Sequence, residues 1–193
     1  MKKALLSAFA VLALGTAAQA QEVNFGIKGG VNFATVGTDS DDEGFGSKTA
    51  FHVGGIAEIK FSETFALQPE VVYSQQGYTR NGDESEWEMN YINIPVMFKY
   101  FPVEGFSLEA GPQVGFFVGG ESADGDDMGD RLKSVDFGVN GGLGYELPVG
   151  VFFQARYYIG LSDVMDVPDE VEDVVGESSM NNYVLSLSVG YKF

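Results

Sequence analysis

The chain contains no cysteine, which excludes a disulfide framework and any thiolate metal site. Basic residues are scarce: 11 Lys and Arg stand against 28 Asp and Glu, for a formal charge of −17. A nucleic-acid partner is excluded on that electrostatic ground. Apolar runs are short as well. The longest, at the N terminus, spans about a dozen residues against the ~20 that a membrane-crossing helix needs. From Glu22 onward no helical periodicity of useful length occurs. The single histidine, His52, has no spacing to Ser47 or Asp136 that supports a catalytic triad, so no enzyme is expected.

What is present begins with MKKALLSAFAVLALGTAAQA, which has Lys2 and Lys3, an apolar stretch, and small residues before Gln21. This reads as a secretory signal peptide over 1–20, cleaved after Ala20. One domain is expected over 21–193. Loss of Lys2 and Lys3 moves the formal charge of the mature chain from −17 to −19.

The remainder is a series of period-two runs: EVNFGIKGGVNFA, TAFHVGGIAEIKF, FALQPEVVYSQQG, WEMNYINIPVMFKYF, FSLEAGPQVGFFVGG, SVDFGVNGGLGYEL, VFFQARYYIGLS and NYVLSLSVGYKF. Such alternation predicts about eight strands, each with two unlike faces. The connections SET, PVEG and PVG are tight, whereas those near 35–48, 78–86, 120–133 and 162–181 are long and carry about −15 of the charge. Short turns at one end and long loops at the other predict an all-β, closed antiparallel up-and-down barrel with periplasmic turns and extracellular loops.

The two faces differ in chemistry. In the last run Tyr183, Leu185, Leu187, Val189, Tyr191 and Phe193 alternate with Val184, Ser186, Ser188, Gly190 and Lys192. Across the strands one face collects Lys28, Lys60, Lys99, Arg156 and Lys192 with Glu58, Glu70, Glu109, Asp136 and Glu146. These charges nearly cancel, and glycines accompany them, which suits a narrow interior where ions must be paired. The apolar face, with aromatics at the strand ends, is assigned to lipid. Lys28, Lys60, Lys99 and Arg156 are expected to pair inside with the five acids. Pro69, Pro95 and Pro112 fall within runs, where a missing N–H predicts bulges or local twist.

In order along the chain, LQPEVVYSQQG at 67–77, YINIPVMFKY at 91–100, EAGPQVG at 109–115, GVNGGLGYEL at 138–147, ARYYIGLSDV at 155–164 and the C-terminal strand resemble the Bacteroidota-type outer-membrane β-barrel family, often labelled porin-family or PorT-like. The resemblance implies an outer-membrane location and an eight-stranded barrel. PorT itself is associated with protein secretion, but no motif here carries that role. A last strand bearing Tyr191 and the terminal Phe193 also resembles the signal read by outer-membrane assembly machinery.

The loops offer one further candidate. DSDDEG places Asp39, Asp41 and Glu43 at alternate positions, but the twelfth position of a calcium loop is Ala50 rather than an acid. DGDDMGD, with Asp124, Asp126 and Asp127, is equally incomplete. Weak Ca²⁺ or Mg²⁺ binding is the expectation there, with no resident cofactor. The functional expectation is a structural or surface-interaction protein whose acidic loops meet lipid headgroups, cations or another surface protein, with a side-chain-filled lumen and a monomeric state. A narrow passive channel is the alternative, and a loop-borne membrane enzyme the third.

Overall fold

A computed structural model of the chain describes residues 22–38, 45–80, 86–122, 133–162 and 180–193. Eight strands follow one another: β1 (Glu22–Thr38), β2 (Phe45–Lys60), β3 (Phe65–Arg80), β4 (Glu86–Val103), β5 (Phe106–Glu121), β6 (Val135–Glu146), β7 (Val151–Gly160) and β8 (Met180–Lys192). Each pairs antiparallel with its neighbours, and β1 pairs with β8, so the sheet is a closed barrel. Closure leaves no strand edge with unpaired backbone groups.

The period-two alternation decides what faces outward. Phe25, Ile27, Val31, Phe51, Val53, Phe98, Leu143, Leu187, Val189 and Phe193 are all exposed. Lys28, Glu58, Glu70, Lys99, Glu109, Arg156 and Lys192 are buried inside. A water-soluble barrel would have the reverse arrangement.

The strands run further toward the long-loop end than the sequence suggested, because β1 continues to Thr38, β2 starts at Phe45 and β3 reaches Arg80. There apolar side chains join the buried Gln76 and Asn182 on the inner face. Val36, Tyr78, Met89 and Tyr91 point inward as one apolar cluster with Trp87 and Phe117 packed on it, while the outward neighbours are residues such as Gln75, Glu88 and Asn90. A stretch with apolar residues inside and polar ones such as Gln75, Glu88 and Asn90 outside departs from the pattern below it, so it reads as loop.

Of the bulges or local twist expected at the prolines, the bulges do not occur. Register shifts occur between Ser47 and His52, Asn90 and Tyr91, and Tyr100 and Val103, none of them at Pro69, Pro95 or Pro112. Instead the ladders skip pairs beside the prolines and resume in the same register: β3–β4 passes from Pro69↔Val96 to Val72↔Asn93, and β4–β5 from Pro95↔Gln113 to Phe98↔Ala110. A missing N–H removes a ladder hydrogen bond without requiring an extra residue.

Candidate functional site: the lumen

The barrel interior is the concentration of chemistry in this molecule, and it is layered. Nearest the short turns lies a cluster of buried ions. Lys28 Nζ meets Glu70 Oε2 at 2.6 Å, and Arg156 meets Glu70 Oε1 through Nη1 at 2.8 Å and Glu109 Oε2 through Nη2 at 2.7 Å. Lys99 joins Glu109 at 3.3 Å and Glu58 at 2.8 Å; Lys192 joins Glu58 at 2.7 Å and Glu146 at 2.6 Å. Four cations and four carboxylates thus alternate in one order from Lys28 to Glu146, with Lys60 as a loose side branch on Glu58. Charges removed from water are tolerable only when paired and hydrogen-bonded. Gln68 serves that end by donating to Glu70 and accepting from Lys99, as does Gln154 by donating to Glu109. Lys99 and Lys192 also lie 5.3 and 5.6 Å from the ring centres of Phe101 and Phe152.

Two of the charges predicted for this network stand apart. Lys60 is 3.9 Å from Glu58 and a third exposed at the short-turn mouth. Asp136 meets no cation among the described residues; it accepts hydrogen bonds from Tyr158 at 3.0 Å and Ser162 at 2.7 Å. It sits near the long-loop end of β6, too high in the barrel to reach the cations. Lys192, whose face was legible, supplies two ion pairs that sequence reasoning did not assign to it. Its partners come from β2 and β6, a juxtaposition that only closure of the barrel creates.

Above the ions lies a neutral polar layer centred on Asn32. Its Nδ2 donates to Ser74 Oγ and the Gln75 carbonyl, and its Oδ1 accepts from Ser186. The remaining contact to Oδ1 is His52 Nδ1 at 2.8 Å, while His52 Nε2 lies 2.8 Å from Ser188 Oγ. An amide oxygen can only accept, so Nδ1 carries the proton and Nε2 accepts from the Ser188 hydroxyl. Ser47 and Asp136 are not the partners of His52.

The order serine, histidine, asparagine has the contacts of a nucleophile, base and orienting group. What it lacks is space. The adjoining cavity has a volume of about 40 Å³ and does not include Ser188 in its wall. A space of that size takes two or three waters, not an ester. The bonds instead fasten the closing seam. Gly30 of β1 stands in register with both His52 of β2 and Ser188 of β8, and having no side chain it lets those two bond across it.

The apolar cluster of Val36, Tyr78, Met89 and Tyr91 forms the third layer, with Tyr78 stacked on Trp87 at 5.2 Å and Tyr91 edge-on to Phe117 at 5.6 Å. A second group of Ala34, Tyr158 and Val184 lies beside it. Tyr191 and Phe193 are exposed on the outer face, and the Phe193 amide donates to the Phe25 carbonyl, which ties the last residue to β1. The acidic candidates Asp39, Asp41, Glu43, Asp124, Asp126 and Asp127 lie outside the described residues. Among the described residues no group of three or more His, Asp or Glu side chains is placed to hold a metal ion.

Comparison with known proteins agrees with this architecture. A family model described as an outer membrane protein beta-barrel domain matches residues 18–166. Among solved structures, Neisserial surface protein A superposes with a TM-score of 0.59 at 14% identity, over 89% of this chain and 99% of that one. Ail, the attachment invasion locus protein of Yersinia pestis, solved in complex with the heparin analogue sucrose octasulfate, superposes with a TM-score of 0.53 at 16% identity, again over 89% and 99%. At these identities the likeness is one of fold. No curated protein sequence matches.

Proposed function

The chain belongs to the outer membrane protein beta-barrel domain family, and from that premise we propose that it is a closed-lumen barrel acting at the cell surface through its acidic loops. The observation that carries this reading is the layered interior. An ionic cluster at the periplasmic end and an apolar cluster at the extracellular end lie in series on the axis. An eight-stranded barrel has an interior only wide enough for its own side chains, which favours a filled lumen over a conducting one and moves function to the loops.

Those loops set the class of partner. Their charge of about −15 repels polyanions, so a ligand like the sulfated sugar in the Ail complex is disfavoured here. Cationic surface proteins, and divalent cations that bridge the loops to anionic lipid headgroups, are the partners with matching chemistry. Outer-membrane lipid surrounds the barrel, and the assembly machinery reads its last strand at Tyr191 and Phe193. The finer family placement we favour is the Bacteroidota porin-family group, on the strength of the segments from 67 to 164, with a mature chain that starts at Gln21. A monomer is the proposed state.

The test is conductance. Refolded protein in a planar bilayer is expected to give no stable channel steps and, on a surface plasmon chip, to retain a polylysine probe in a salt-sensitive manner. Reproducible steps whose ion selectivity changes in Lys28→Gln would instead establish the narrow channel and defeat the closed-lumen reading.

A further inference from the structure

The alternating ions have two ends, and the ends are unequal. Each interior member, from Glu70 through Arg156, Glu109, Lys99 and Glu58 to Lys192, touches at least two opposite charges, Glu58 having Lys60 as a third. Glu146, the negative end, is 24% exposed at the periplasmic mouth, where water solvates it. Lys28, the positive end, is buried deep in the lumen, and among the described residues Glu70 is its one ionic partner. An ammonium has three donors, so two are left over.

Beside Lys28 lies the cavity of about 40 Å³. Its wall is rich in spare protons. Asn93 is buried and its side chain makes no hydrogen bond among the described residues. Its Oδ1 lies over Gly115, close enough that a Cβ there would come within 2.7 Å, which leaves the amide nitrogen for the cavity. Gln113 Oε1 is taken by Asn140, leaving Nε2 free. Ser74 Oγ accepts from both Asn32 and Gln76, so its own proton is unused. On the accepting side, Glu70 Oε1 takes Gln68 and Arg156, Oε2 has only the ion pair to Lys28, and Asn140 Oδ1 and Ser186 Oγ, which spends its proton on Asn32, remain.

Water in a buried site needs partners for its protons as well as for its lone pairs. A wall whose spare donors, on Lys28, Asn93, Gln113 and Ser74, outnumber the free acceptors on Asn140 and Ser186 suits an acceptor-only guest better. We propose that this cavity is a binding site for a small monovalent anion, a halide, held by Lys28, Asn93, Gln113 and Ser74 and terminating the run of alternating charge. Chloride is the physiological ion of that class. The cavity is too small for a carboxylate-bearing metabolite or a phosphate ester, so the site is structural and lies apart from the loop surface.

Crystals of the full refolded chain grown in bromide test this directly. An anomalous peak at the bromine edge, within hydrogen-bond reach of Lys28 Nζ and the Asn93 amide, is the expected result. Water density without anomalous signal would overturn it. Asn93→Leu keeps all eight charges while removing one donor and filling space, and the peak is expected to fall to less than half its wild-type height; an unchanged peak would refute the assignment of the donors. If that variant does not refold, the wild-type crystal still decides the matter.

Discussion

Arg156→Met removes the centre of the ionic run. Among the described residues the guanidinium is the one group that pairs with both Glu70 and Glu109, through contacts of 2.8 and 2.7 Å, with Nε adding a second bond to Glu109 at 2.8 Å. Without it Glu70 keeps Lys28 and Glu109 keeps Lys99, so neither carboxylate is orphaned, but three cations then face four carboxylates, three of them buried. Breaking a buried pair from one side costs ~3–5 kcal/mol, or roughly two to four powers of ten in the folding equilibrium. The assay is urea titration of the protein in lipid vesicles, followed by fluorescence of Trp87, the sole tryptophan. Trp87 stacks on Tyr78 at the opposite end of the lumen, so it reports on the barrel without touching the substituted site. The paired variant Arg156→Met with Glu109→Gln leaves three cations and three carboxylates. Restored neutrality is expected to recover most of the loss, since charge-balanced replacement of buried ions is often neutral or stabilising. A single variant within ~1 kcal/mol of wild type, a cost proper to an exposed pair, would refute the claim that these ions are desolvated. A double variant weaker than the single would refute the role of charge balance.

Two other substitutions probe the wall itself. Leu187→Arg places a charge midway along the lipid-facing side of β8 and is expected to cost ~2–4 kcal/mol, whereas Phe193→Arg at the rim costs ~0–1 kcal/mol; equal effects in the same titration would contradict the assigned membrane depth. Gly30→Ala puts a Cβ against the Leu187 carbonyl oxygen and 2.8 Å from Ser188 Cα, so β1 and β8 must part at the closing seam. It is expected to abolish the heat-sensitive gel shift of the folded barrel, while Gly55→Ala, whose Cβ meets nothing nearer than 3.9 Å, leaves that shift intact.

Sequence and structure agree where the pattern is local. Period-two alternation is a property of neighbouring residues, so it was enough to place Ile27, Val31, Leu187 and Val189 outside and Lys28, Glu70 and Arg156 inside. Pairing is not local: Arg156 of β7 meets acids of β3 and β5, and Lys192 of β8 meets acids of β2 and β6, across an axis whose geometry depends on strand number and tilt. No spacing in the chain encodes those partners. The part played by His52 was hidden for the same reason, because its bond to Ser188 depends on Gly30 lying between them in register. One signal was available, namely that β1 alternates glycine with polar residues through Gly26, Lys28, Gly30 and Asn32, which marks an inner surface crowded by its neighbours.

The change of pattern along the strands has a physical cause that also bears on function. Within the bilayer the outer face must be apolar, so the inner face has to be polar; a strand apolar on both faces would lengthen into the continuous apolar stretch that marks a membrane helix. Beyond the lipid that constraint lapses, water wets the outside, and the strands can bury apolar groups centrally as a soluble sheet does. Val36, Tyr78, Met89 and Tyr91 occupy that upper zone, with Gln75 and Asn90 turned outward beside them. On the closed-lumen reading proposed above, two kinds of packing fill the interior: ion pairs below, and above them an apolar cluster beside the buried amides of Gln76 and Asn182. If that reading holds, a solute would have to pass both layers, and substitution within either layer alone is expected to leave the refolded barrel without channel steps in a planar bilayer.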